Sequence, residues 1–134
     1  MGLTPYPIGC IFKEENVKRT FIQTREFSAR WDDLGFDDDD LRLLEVYIMS
    51  DPDRFPVMKG TGGLRKARIS YGDKNTGKSG GARVCFVDFA YEETTYLITV
   101  YGKNEKDNLS NSERNSIKQL LGLLKKTLGG DRYE

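Results

Sequence analysis

Phe27, Trp31 and Leu34 recur at i, i+4 and i+7, one face of a short helix that Gly35 stops. Ahead of them, residues 19–24 (RTFIQT) form a short β-rich run, read as a strand. Asp37 can cap a second helix, with Asp38, Asp39 and Asp40 in its first turn, where carboxylates suit the helix dipole. Leu41, Leu44 and Ile48 give that helix its buried stripe, and it should end before Pro52. Beyond the glycine-rich segment 60–63, residues 64–70 read as a second strand. Residues 82–89 and 94–101 are long runs of β-branched and aromatic residues joined by 90–93, the pattern of a hairpin. Ser110 and Glu113 form a capping box ahead of a last helix with the apolar stripe Ile117, Leu120, Leu121 and Leu124. Lys125 and Lys126 fall in its last turn, and Gly129-Gly130 end it. The predicted order is β-α-α-β-β-β-α, an α+β domain with helices packed on a mostly antiparallel sheet. Residues 1–16 have weak periodicity and two prolines, and read as an N-terminal extension of a domain spanning 17–130.

At 134 residues the chain holds one ordinary domain, because two halves of about 65 would each be near the marginal size for a core. With 37% hydrophobic and 31% charged residues, collagen-like, cysteine-stapled and fully disordered classes are excluded. No apolar run approaches the roughly 18 residues of a membrane span, and the N-terminus lacks the basic and apolar regions of a secretory signal. Cys10 and Cys85 form no metal or redox motif, so a reduced, cytoplasmic setting is the expectation. The chain contains no histidine, which removes Ser/His and Cys/His nucleophile systems and any His-ligated metal.

Net charge is zero, but the charges are segregated. Residues 26–53 hold ten acids against two bases, and residues 54–83 hold eight bases against one acid. A basic middle segment in a neutral chain is either a local polyanion site or a surface that pairs with the acidic one. The aspartate run at 37–40 suits a helix start better than a metal site, since neighbours on a helix point apart. Alternation puts Lys66 and Arg68 on the face of Leu64, and Arg65 on the face of Ala67 and Ile69. Arg83 opens an otherwise apolar or neutral run, so it must face solvent, meet a carboxylate or receive an anion. Lys66, Arg68 and Arg83 on neighbouring strands would make one cationic cluster, with the Arg forks suited to phosphate. The Gly62-Gly63 and Gly80-Gly81 pairs permit close backbone approach. GxxxxGK[ST] spacing holds from Gly72 to Ser79, but between predicted strands it has no helix to aim its amides at a phosphate.

The stretch GTGGLRKAR (60–68), the Lys/Gly-rich loop after it, GGAR (80–83) and YGKNE (101–105) together resemble the RelE/HigB family of type II toxin–antitoxin toxins, most of all its HigB-like branch. The resemblance spans about residues 19–127, with the motifs in the family's order. It implies a compact RelE-like α+β fold and a ribosome-dependent endoribonuclease that cuts mRNA, working without metal or cofactor and silenced by a cognate antitoxin. It places catalytic roles on Lys66, Arg68, Arg83, Tyr101 and Lys103 and matches Asn104 to the motif at the end of the fourth strand; with Asn104, the cations Arg65, Lys74 and Lys78 are the expected RNA contacts. The expected reaction is attack of the RNA 2′-hydroxyl on the adjacent phosphate. Arg68 and Arg83 would hold the developing charge, Lys66 would serve as base, and Tyr101 or Lys103 would protonate the leaving oxygen. Residues 106–130 contain no tyrosine, so Tyr101 is the phenol nearest the proposed chemistry. Two other functions share such a fold: a gyrase-directed toxin acting by protein binding, and an inactive module that binds RNA or antitoxin.

Overall fold

The computed structural model describes residues 19–70 and 81–128. In chain order it holds β1 (Thr20–Gln23), α1 (Arg25–Asp33), α2 (Asp38–Ser50), a 3-10 turn (Pro52–Arg54), β2 (Arg65–Ile69), β3 (Ala82–Phe89), β4 (Thr94–Gly102) and α3 (Asn111–Leu128). This is an α+β fold. β2, β3 and β4 are antiparallel neighbours, and β1 joins the far side of β4 in parallel, giving the sheet order β1-β4-β3-β2. The expected extension at 1–16, Cys10, Lys74, Lys78, Gly80, the Gly72–Ser79 pattern and the Gly129-Gly130 stop lie outside the described residues.

Side-chain caps fix where the helices begin. Thr24 Oγ1 accepts from the Phe27 amide at 3.0 Å and donates to the Ile98 carbonyl at 2.6 Å, so one hydroxyl both starts α1 and seats it on β4. Asp37 and Asp40 exchange side-chain bonds with each other's amides, both at 2.9 Å, in a reciprocal box that starts α2. Ser110 and Glu113 do the same at the start of α3, at 2.8 and 3.1 Å. The aspartate run is therefore a helix start, and among the described residues no group of metal-ligating side chains converges.

Alternation along β3 divides the core. Ala82, Val84 and Phe86 pack with Phe27, Trp31, Leu44 and Ile48 of α1 and α2. Cys85, Val87 and Phe89 pack with Leu121 of α3, together with Leu64 and Met58. The sheet is thus covered on both faces, by two helices on one and one helix on the other. β4 breaks strict alternation. Cys85 pairs with Thr99 and Phe86 with Leu97, so Ile98 is an extra residue in the ladder. Beyond this bulge the faces are exchanged: Leu97 and Val100 share the α1/α2 side, while Ile98 and Tyr101 share the α3 side.

Two glycines named for close approach are close to the protein itself. A Cβ on Gly62 would stand 3.5 Å from the Lys118 side chain. A Cβ on Gly81, at φ +63°, would stand 2.0 Å from the Ile69 carbonyl oxygen. Gly81→Ala should therefore destabilise the domain by at least about 1–3 kcal/mol from backbone strain, read as a lower urea midpoint. An unchanged midpoint would mean that the β2–β3 junction relaxes at no cost.

Candidate functional site

The β-ladder brings three of the predicted residues into one row. Arg68 on β2 is the cross-strand partner of Arg83 on β3, and Arg83 is the partner of Tyr101 on β4. Lys66 lies two residues along the same face, opposite Cys85. The row sits on the α3 side of the sheet, and Tyr101 reaches it through the bulge at Ile98.

Exposure falls steeply along the row. Arg68 is exposed, Lys66 is half-buried and Arg83 is 9% exposed. The Arg83 guanidinium donates to the Ala82 carbonyl at 3.4 Å. Tyr101 is fully buried, and its hydroxyl has no hydrogen-bond partner among the described residues. Lys106 Nζ stands 5.2 Å from the centre of its ring and is held by Glu113 Oε2 at 2.7 Å. Burial pushes the Tyr101 phenol up to about 12, with the neighbouring Cys85 adding to the effect and the Arg83 and Arg114 cations opposing it. Burial likewise raises the Cys85 thiol to about 12 against the pull of Lys66 and Lys106. Cys85 Sγ lies 3.8 Å from Met58 Sδ and is an inert part of the core. Hydrogen bonds from Lys106 and the Ser110 amide hold the Glu113 carboxyl below its ordinary range.

The remaining predicted residues separate. Lys103 and Asn104 are exposed in the turn after β4, and the Lys103 amide donates to the Gly81 carbonyl at 3.0 Å, which fixes that turn beside the row. Arg65 turns away. Its Nη1 donates to the Phe55 and Asp53 carbonyls at 2.6 and 3.1 Å, and its Nη2 lies 3.4 Å from Asp53 Oδ1. Arg65 thereby ties the acidic segment's end to β2.

Several residues outside the predicted set shape this face. Arg114 Nη1 donates to the Lys59 carbonyl at 2.5 Å, and Lys125 Nζ donates to the Gly62 carbonyl at 2.7 Å. Cations of α3 thus hold the 60–63 segment that leads into β2. Glu105 Oε1 accepts from the Gly102 amide at 3.2 Å and from Arg30 Nη1 at 3.4 Å, bracing the 102–105 turn. The YGKNE motif contained a signal for Glu105, because a carboxylate three residues beyond a strand end can close back on its amide. Arg114 and Lys106 carried no such signal. Lys66, Arg83, Lys106 and Arg114 together give this face a cationic field, with Glu113 the opposing carboxylate.

The raised thiol and phenol set an alkaline limit on stability. Each is favoured neutral in the folded state, so its contribution is full below its unfolded pKa and is lost as pH rises toward about 12. Stability should fall from about pH 9 upward, first through Cys85 and then through Tyr101, by an amount on the order of a few kcal/mol. Thermal melts of Cys85→Ala against the parent chain between pH 8 and 10.5 measure this, and equal slopes would contradict it. No protein-family model matches the chain.

Proposed function

We propose that this chain is an endoribonuclease toxin of the RelE/HigB kind, cutting mRNA on the ribosome and silenced by a cognate antitoxin. The observation that carries this reading is the cross-strand row Arg68–Arg83–Tyr101 with Lys66 beside it. In the reaction, the 2′-hydroxyl loses its proton and O2′ bonds to phosphorus. The bond to the 5′-oxygen breaks, and that oxygen takes a proton. The products are a 2′,3′-cyclic phosphate and a 5′-hydroxyl. Arg68 and Arg83 supply fixed charge to the crowded phosphate oxygens, a term commonly worth several kcal/mol. Lys66 is the candidate base, half-buried two residues from Arg68 on the same face of β2. Lys103 is the leaving-group donor that substrate can reach from solvent. Tyr101 lies under Lys106 with a phenol near 12, which makes it a hydrogen-bond donor throughout the neutral range and never a base there.

The burial of Tyr101 gives weight to a second reading, a module that binds RNA or antitoxin without cutting. Purified protein added to translating ribosomes separates these readings. Cleaved mRNA supports the enzyme, and arrested translation with intact mRNA supports the binding module. Stalled DNA supercoiling in a parallel gyrase assay would favour the gyrase-directed alternative. A zero-charge domain has little electrostatic reach to align RNA alone, so naked mRNA should be cut far more slowly than ribosome-bound mRNA.

A further inference from the structure

β2 is an edge strand, and among the described residues its outer side is paired only at its start. At its start the Lys66 amide donates to the Pro56 carbonyl at 3.0 Å, and Val57 bridges Arg65. The same outward alternation points the Arg68 amide and carbonyl away from β3, and among the described residues no backbone group meets them. Directly beside this open stretch lies a groove of about 420 Å³ between β2 and α2, with Phe36, Leu43, Tyr47 and Ile69 on its walls and Asp40 and Arg68 at its margin. Leu43 is 66% exposed and Tyr47 39% exposed, an apolar surface next to a strand edge that no described residue pairs at Arg68.

We infer that the β2 edge is a docking site for an extended peptide strand that alternates apolar and acidic residues. The chemistry follows from the register. A strand paired outside β2 sets its side chains alternately on the two faces of the sheet. Those on the face of Ala67 and Ile69 enter the apolar groove. Those between them lie on the face of Lys66 and Arg68, where carboxylates are complementary and lysines are repelled. A second copy of this chain is a poor occupant, because antiparallel self-pairing centred on Ala67 sets Lys66 opposite Arg68. RNA is attracted by the same cations, but it has no amide ladder to offer Arg68 and no side chain for the groove. Docking would neutralise Lys66 and Arg68 and so close the proposed RNA face. That consequence rests on the ribonuclease reading, whereas the docking itself does not.

The test uses the full chain and a synthetic peptide of about nine residues alternating valine and glutamate, long enough to span β2. Amide exchange and chemical shifts are followed by NMR. The expected result is slowed exchange at the Arg68 amide and shifted signals at Leu43, Tyr47 and Ile69. A valine/lysine peptide should not bind, and Arg68→Glu should weaken the glutamate peptide about tenfold and admit the lysine one. An Arg68 amide already protected in the free protein would assign the edge to the chain's own residues and overturn the proposal. Self-association through β2 or binding without charge preference would overturn it equally. RNA cleavage measured without peptide reports on the ribonuclease reading alone, so either can fail while the other stands.

Discussion

Arg83→Ala is expected to lower cleavage of ribosome-bound mRNA at least about 100-fold, the loss typical of deleting a donor that stabilises developing charge. Arg83 is central in the row, between Arg68 and Tyr101, and the residue is 9% exposed. Alanine is compatible with a strand whose neighbours Ala82 and Val84 carry the opposite face of the core. The fold should therefore persist, with circular dichroism and a cooperative melt as controls. Arg83→Lys should recover only part of the activity, since an ammonium keeps the charge but loses the planar fork. Full activity in a folded Arg83→Ala protein would remove Arg83 from the chemistry and with it the row as a catalytic arrangement.

The second large effect concerns the far end of the sheet. Asp88 on β3 accepts from Arg19 and from Thr95 Oγ1, the latter at 2.7 Å, with 8% of its side chain exposed. Arg19 leads into β1 and is itself largely covered, and its Nε is buried without a partner among the described residues. Asp88→Ala leaves a largely buried guanidinium without its counter-charge, a loss of about 3–5 kcal/mol in comparable pairs. Since β1 is held to β4 by only four residue pairs, its parallel pairing should be the first to loosen. Hydrogen exchange at Thr20 and Thr24, whose amides donate to the Glu93 and Leu97 carbonyls, alongside urea unfolding, reads both effects. A loss below about 1 kcal/mol would mean that Arg19 finds solvent when freed.

The helices were legible from the sequence because their signals are local. Phe27 and Trp31 are buried at the predicted spacing, and Asp37 and Ser110 begin α2 and α3 as the capping patterns require. The β3–β4 hairpin and the face shared by Lys66 and Arg68 were equally plain from a period of two. The parallel union of β1 with β4 was not, because it joins residues more than seventy positions apart through a strand of four. Tyr101 shows the sharpest limit. Strict alternation from Leu97 would place it on the α1/α2 side, and the extra residue Ile98 moves it to the face of Arg83. Its burial depends on Lys106 and on the segment before α3, which are tertiary facts with no periodic trace. Gly62 carried no trace of its partner in the sequence: its nearest neighbour is the Lys118 side chain of α3, 3.5 Å from where a Cβ would stand.

A Lys66/Arg68/Arg83 face that cuts RNA through the RNA's own 2′-hydroxyl leaves a signature in the ends of the fragments. The most direct measurement is to incubate the purified chain with ribosomes carrying a defined mRNA and to determine the chemistry of any new ends. The expected result is a 2′,3′-cyclic phosphate on the upstream fragment and a 5′-hydroxyl on the downstream one, both lost in Arg83→Ala. Intact mRNA, or fragments ending in a 3′-hydroxyl and a 5′-phosphate, would contradict it.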